Sequence, residues 1–337
     1  MNTVFAAAVA AGLSVAGAAG GARADEPIHF KFSVGTGVSS PTFVRATKPF
    51  LDKIAAESGG VFVIDVYPGG ALASATNVYD RLVSGVYEMC YGIHGPIAGK
   101  FPKTSVAELP FLATEAEHSS VALWKLIANG TIADEYADVK PLAVFIYPQS
   151  QIHLTKPVRT MEDLKGIKVG TWSHTGGEIL EALGAVPISI SPGEAYQTAQ
   201  RRTIAGVVVE WNGVMQFKID EVTTAHVEAN LGSNTGFVLM NKGAFEKLPE
   251  AARAMIDRNA GATLAASYGR ELESIARDQR EAVGKKPGHE IIELAPAERK
   301  RWEAKVQPIY EAWIARTPNG AKVLETFKTE LAREMRM

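Results

Sequence analysis

The sequence predicts an α/β protein built in two halves. Three observations carry that expectation: a β-α-β-α-β order over residues 28–91, a second run of the same kind over 167–209, and a long helical pattern over 249–283. Strands that alternate with helices form a mostly parallel sheet covered by helices on both faces.

The elements follow in order. Ile28–Val34 alternates as a strand and ends in the turn Gly35-Thr36-Gly37. Ser40-Pro41 is a helix start, a hydroxyl cap followed by proline at the first helical position. Phe43, Phe50, Leu51 and Ile54 follow at helical spacing, and Gly59-Gly60 stops the helix. Residues 61–67 read as a strand ended by Pro68-Gly69-Gly70, 77–84 as a short helix and 86–91 as a third strand. The second run has strands over 167–169, 186–190 and 206–209, with helices over 177–183 and 193–201. Val207-Val208-Val209 is a continuous β-branched run, as in a strand covered on both faces. Over 249–283, Ala252, Met255, Ile256, Leu264, Tyr268, Leu272 and Ile275 lie near helical spacing. At roughly 1.5 Å per residue such a helix crosses one domain and reaches another, unless Gly261 or Gly269 breaks it. Residues 302–313 and 323–336 read as terminal amphipathic helices.

Composition narrows the function. The 337 residues hold 35 Lys and Arg against 37 Asp and Glu, a formal charge of −2, with no basic footprint for nucleic acid. Hydrophobic residues at 46% and charged residues at 21% fit a packed fold rather than a disordered chain. One cysteine excludes an internal disulfide and a Cys₄ or Cys₂His₂ zinc site. Residues 1–24 read as a secretory leader, with an Ala-rich apolar run from Phe5 to about Ala19 and an A-x-A site, Ala22-Arg23-Ala24, before Asp25. No Lys or Arg precedes the run, so its positive end rests on the terminal amine. The mature chain is expected to be exported, starting near Asp25.

Enzyme motifs mostly fail. No two of the seven histidines lie three or four residues apart, so H-E-x-x-H is absent, and there is no G-x-S-x-G elbow. Gly95-Pro96-Ile97-Ala98-Gly99-Lys100 is one residue short of a phosphate loop, and Phe101 stands where Ser or Thr would bind magnesium. Cys90 follows a strand pattern and reads as a small core residue. No cofactor or resident metal is expected.

Several connecting motifs resemble the solute-binding subunit of tripartite ATP-independent periplasmic (TRAP) transporters, the DctP-like family. They are Val66-Tyr67-Pro68-Gly69-Gly70-Ala71-Leu72, Tyr79-Asp80-Arg81-Leu82-Val83-Ser84-Gly85 and Glu108-Leu109-Pro110-Phe111. Met161-Glu162-Asp163-Leu164-Lys165-Gly166-Ile167-Lys168-Val169, Ala182-Leu183-Gly184-Ala185-Val186-Pro187, Glu194-Ala195-Tyr196 and Met240-Asn241-Lys242 ahead of Leu248-Pro249 complete the set. The D-L-K-G-I-K-V piece alone is unspecific, but the order and spacing fit along almost the whole mature chain. The resemblance implies a two-lobed periplasmic binding protein fold: mixed sheets, crossing strands and a long helix spanning both lobes. It divides the chain into a leader (1–24), a first lobe (25–148 and 238–275) and a second lobe (149–237 and 276–337). It also implies a periplasmic receptor whose lobes close on a small solute and deliver it to TRAP permease subunits driven by an ion gradient.

One departure bears on the ligand. In the family the strand after D-L-K-G usually ends K-[IVL]-R, and that Arg pairs bidentately with the ligand carboxylate. Here the segment is Lys168-Val169-Gly170. Lys168 shares a strand face with Gly170 but lies further back. The aspartate of the usual D-G is also missing, at Ala205-Gly206. Two accounts compete. In the first, the ligand is still an organic acid, an aromatic one among the candidates, cradled by the helix start after Thr171-Trp172-Ser173-His174-Thr175, with Ser173 or Thr175 nearby and His174 adding charge if protonated. In the second, the ligand is neutral or larger, Gly170 opens space where the guanidinium would sit, and Trp172 and Trp211 stack on a flat solute. The first is preferred, on family habit.

Other candidates flank these positions. Tyr91 and His94 follow the third strand, where ligands approach open sheets. Tyr147, Gln149 and Gln151 fall where the chain crosses between lobes, and Gln amides both donate and accept. Thr36 lies in the first turn, and Asn234 in Gly232-Ser233-Asn234-Thr235, a region that commonly reaches the ligand in relatives. Glu210-Trp211 resembles a Glu-Trp pair that ligates a cation in some members, but sits about two residues late relative to Gly206. A cation bridging the solute through Glu210 is therefore the minority reading, and Trp211 reads as a pocket wall. The preferred function is a transport receptor that does no chemistry, a monomer because no heptad seam is present. The alternatives are an exported enzyme with Glu210, His94 or His174 as general base, and a sensor-linked binding protein of the same fold.

Overall fold

A computed structural model describes residues 27–97 and 99–336; the expected leader, residues 1–24, lies outside the described residues. The strands are β1 (Ile28–Val34), β2 (Phe62–Tyr67), β3 (Met89–Ile93), β4 (Val139–Gln149), β5 (Gln151–Leu154), β6 (Lys168–Thr171), β7 (Val186–Ser189), β8 (Gly206–Val209), β9 (Ala225–Glu228), β10 (Ser233–Asn241) and β11 (Glu290–Glu293). The helices are α1 (Lys48–Glu57), α2 (Val78–Val83), α3 (Ala116–Ala128), α4 (Met161–Leu164), α5 (His174–Ala182), α6 (Ala195–Gln200), α7 (Trp211–Gln216), α8 (Lys242–Glu246), α9 (Glu250–Asn259), α10 (Ala262–Gly284), α11 (Pro296–Val306), α12 (Pro308–Arg316) and α13 (Gly320–Glu334).

Two sheets result, ordered β2-β1-β3-β10-β4 and β11-β9-β5-β8-β6-β7. The β-α-β segments supply the parallel pairs β1–β2, β1–β3, β6–β7 and β6–β8. The sheets are nonetheless mixed, not mostly parallel, because β10 runs antiparallel to β3 and β4, and β5 antiparallel to β8 and β9. Those antiparallel strands are where the chain changes lobe: β4 passes into β5 at residue 150, and β9 into β10 over 229–232. All of β10 pairs in the first sheet, so the second crossing lies before Ser233, not at the expected boundary after 237. The C-terminal segment also divides: α11 and α12 pack on α5 of the second lobe, whereas α13 packs on α3 of the first, which corrects the assignment of 276–337 to one lobe.

The long helical pattern is two helices. Gly261, at φ +82°, breaks it between α9 and α10, in a left-handed conformation that suits glycine. Gly269 does not break it. A Cβ there would lie 2.5 Å from the Ala116 carbonyl oxygen and 2.6 Å from the Glu117 Cα, so glycine lets α10 lie directly on α3. The other end of α10 holds α7: Asn212 Nδ2 donates to the Leu272 carbonyl (2.6 Å) and Gln279 Oε1 accepts from the Met215 amide (3.1 Å). This one helix therefore touches both lobes. Gly269→Ala would gain about 1 kcal/mol in helix propensity, but its methyl group meets backbone that cannot turn aside. A net loss of about 1–3 kcal/mol is expected in chemical denaturation.

Candidate functional site

The two lobes meet at a cleft at the C-terminal ends of β1, β3, β6, β7 and β8, and the crossing strands form its base. The crossings are tied together: the Ser150 amide donates to the Gly232 carbonyl (2.7 Å) and the Leu231 amide to the Ser150 carbonyl (3.0 Å). Trp172, just beyond β6, divides the cleft. Gly95 from the first lobe packs against its backbone, where a Cβ would lie 3.1 Å from the Trp172 carbonyl oxygen.

The inner chamber has a volume of about 510 Å³. Its walls are aromatic: Tyr91 and Tyr147 from the first lobe, Trp172 and Phe217 from the second. Trp172 and Phe217 meet edge to face at 5.9 Å. The Tyr91 and Tyr147 hydroxyls hydrogen-bond each other, and their rings rest on a stack formed by Phe145 and Tyr268 at 4.3 Å. Burial pushes both phenols up, so they are neutral.

The polar groups of this chamber include Thr36, Glu194, Glu210, Asn212, Gln216 and Asn234, with serine and threonine hydroxyls of the 74–76 loop. Glu210, 5% exposed, follows β8 directly, and Asn234 Nδ2 donates to its Oε2 at 2.8 Å. Desolvation pushes the Glu210 carboxyl above its ordinary range. Asn212 Oδ1 is buried without a hydrogen-bond partner among the described residues. No Lys, Arg or His lines the chamber among the described residues; its ionisable acids are Glu194 and Glu210. Beyond Trp172 lies an outer chamber of about 960 Å³, bordered by His94, Glu108, Ser173, His174, Thr175 and Arg316.

Of the residues singled out from sequence, Thr36, Tyr91, Tyr147, Trp172, Asn234 and Glu210 come together in the inner chamber. The others do not. His94 is a core histidine between Phe101 (4.6 Å) and Phe237 (4.9 Å), with Nε2 2.9 Å from the Tyr136 hydroxyl; it reaches only the outer chamber. Burial lowers its pKa to about 3, so it stays neutral. Gln149 Nε2 donates to the Ala113 carbonyl (2.7 Å), and Gln151 exchanges hydrogen bonds with Asn230, so both brace the crossings. Trp211 is buried behind Glu210, beside His153, its indole donating to Glu228 Oε1 (3.3 Å), and is not a wall.

Gly170 opens no space. Its Cβ position faces Ile190 Cδ1 at 2.5 Å and Ile204 Cδ1 and Val207 Cγ1 at 2.9 Å, so apolar side chains occupy the place. The anion cradle is also taken. Ser173 Oγ caps α5 by accepting from the Gly176 amide (3.0 Å), and the buried Glu108 carboxyl faces the Ser173 and Thr175 hydroxyls. Burial raises that carboxyl to about 7. His174 is exposed and lies 3.4 Å from Glu178, which Arg316 grips with both guanidinium nitrogens. Among residues missed, Asn212 and the 191–194 turn follow β8 and β7 directly, so the rule that ligands approach strand ends points to them. Phe217 carries no such signal, since α7 folds it back into the cleft.

A model of the family described as bacterial extracellular solute-binding protein, family 7 (DctP) matches residues 32–317. A TRAP solute-binding protein from Rhodoferax ferrireducens, solved with copurified benzoate, is 27% identical with a TM-score of 0.88, covering 92% of this chain and 99% of that one. A marine-metagenome TRAP protein specific for aromatic acid ligands, solved with 3-hydroxybenzoate, is also 27% identical, with a TM-score of 0.87 and coverage of 91% and 99%. The C4-dicarboxylate-binding periplasmic protein DctP of Rhodobacter capsulatus is 25% identical over 91% of this chain and 92% of its own length.

Proposed function

Because the chain belongs to the bacterial extracellular solute-binding proteins of family 7 and is a TRAP-type solute receptor, we propose that the solute it captures is a small aromatic acid. The observation that carries this reading is the inner chamber of about 510 Å³, walled by Tyr91, Tyr147, Trp172 and Phe217 and polar at Glu210 and Asn234. Pockets of this size and character hold small ligands by an apolar body and a few placed polar groups. A ring packed against Trp172 and Phe217 and a carboxyl group toward Glu210 use both features. Two structural neighbours at 27% identity, one with benzoate and one with 3-hydroxybenzoate, support the same class. The receptor releases its solute unchanged to TRAP permease subunits, works in the periplasm and acts as a monomer. Among the described residues no helix is long and apolar enough to cross a membrane.

A second reading, a neutral solute, is favoured by the lack of a cationic side chain lining the chamber among the described residues. Mass spectrometry of the compound released from the purified protein separates the two. An intact aromatic acid is expected, with benzoate, 3-hydroxybenzoate or mandelate raising the melting temperature. Recovery of a sugar or polyol, or stabilisation by neutral compounds alone, refutes the acid, and an altered compound refutes a pure receptor.

A further inference from the structure

We infer that Glu210 determines specificity by sharing a single proton with the carboxyl group of the bound acid, so that the receptor takes up a proton as it binds. This rests on the aromatic-acid reading and adds a role for one residue in it.

Glu210 is faced by neutral polar groups and one further acid. Asn234 from β10 is its one side-chain hydrogen-bond donor among the described residues. Tyr91 from β3 and Tyr147 from β4 face it as neutral hydroxyls, and Glu194 lies across the same chamber. α7 presents Asn212 and Gln216, which carry no charge. Behind Trp211 stand His153 of β5 and His226 of β9, whose ring nitrogens meet at 2.9 Å. Burial lowers them to about 3 and about 4, so both are neutral. Arg280 of α10 is committed to Glu228, with guanidinium hydrogen bonds of 2.6 and 2.8 Å.

A carboxylate entering this chamber therefore meets a buried carboxyl and, among the described residues, no free cation. Two ionised carboxylates in one dry site repel strongly, and one must hold a proton. The pair then forms a charge-assisted O–H···O⁻ hydrogen bond, which neither partner makes alone. The proton balance is simple. Where Glu210 of the empty cleft is ionised, the proton comes from solvent; where it is already protonated, the acid binds as its anion and no proton moves. Affinity is therefore level between the ionisation of the free solute and that of Glu210, and falls as pH rises through the ionisation of Glu210, by up to about tenfold per unit. The raised carboxyl pKa in the empty cleft moves that fall toward neutral pH.

The test is calorimetric titration with benzoate, 3-hydroxybenzoate and mandelate from about pH 5 to about pH 9, in buffers of different ionisation enthalpy. Wild-type protein is expected to take up close to one proton at the alkaline end and to weaken at least tenfold across the range. Glu210→Gln, checked for folding by circular dichroism, is expected to bind without pH dependence, since its amide donates at every pH. A wild-type affinity constant across the range, a slope that survives in Glu210→Gln, or binding that needs added sodium or calcium overturns the inference while leaving the acid reading standing. If none of the acids binds and benzamide or benzyl alcohol does, the acid reading itself has failed.

Discussion

The Gly170→Arg variant, which writes the family's usual residue back into the strand, is expected to lose about 3–5 kcal/mol of stability and to gain no affinity for benzoate. The reason lies in what touches that position. A Cβ there already overlaps Ile190 Cδ1 at 2.5 Å and closes to 2.9 Å on Ile204 and Val207. Ile204 and Val207 are 1% and 0% exposed, so little room exists for them to yield. Forcing side-chain volume into packed surroundings costs about 1–3 kcal/mol by itself. The guanidinium would also be left in an apolar layer without a carboxylate partner, and an uncompensated buried charge adds several kcal/mol. Denaturant titration measures the loss, and benzoate titration of the folded fraction measures affinity. A stable variant that binds benzoate at least tenfold tighter would mean that the arginine reaches the ligand after all, and that this cleft lacks only the residue.

How much of this was legible in the chain depends on the distance over which each feature is decided. β1 shows as alternation over Ile28–Val34 and β8 as the β-branched run Val207-Val208-Val209, because one strand's burial is written in its own residues. β4 and β10 are harder. Their buried runs, Val139–Gln149 and Ser233–Asn241, carry no period that separates strand from helix, and their pairing joins residues about 90 positions apart. Gly261 and Gly269 look alike in sequence, yet one ends a helix and the other lets two helices touch, since only the second has Ala116 beside it. The same distinction governs the site. Tyr91 and Trp172 are found because they lie near strand ends, Tyr91 inside β3 and Trp172 just beyond β6, and ligands approach strand ends. His94 and Trp211 follow strands too, but their rings turn toward Phe237 and toward His153, and which way a ring turns is set by those remote partners. The space at Gly170 is likewise filled by Ile190, Ile204 and Val207, which no local motif announces.

Gly232→Ala tests the crossing between the lobes, and a loss on the order of 4 kcal/mol is expected together with loss of solute binding. Gly232 has φ +90°, a conformation that strains any residue with a Cβ, at about 1–3 kcal/mol. The added methyl group would also lie 2.2 Å from the Glu108 carbonyl oxygen and 3.0 Å from its carbon, backbone atoms that cannot rotate away. Relief requires the 104–109 segment to move, but Leu109 is fully buried and the Gly232 carbonyl is held by the Ser150 amide at 2.7 Å. Both crossings are therefore dragged with it. Function follows by a short path: two residues on, Asn234 holds Glu210 at 2.8 Å, so a displaced crossing loosens the polar end of the chamber. Denaturant midpoints report the first effect, and benzoate titration at a temperature where the variant stays folded reports the second. A variant within about 0.5 kcal/mol of wild type would show that the crossing segments yield easily, and a stable variant with unchanged binding would show that Asn234 and Glu210 keep their places independently of the crossing.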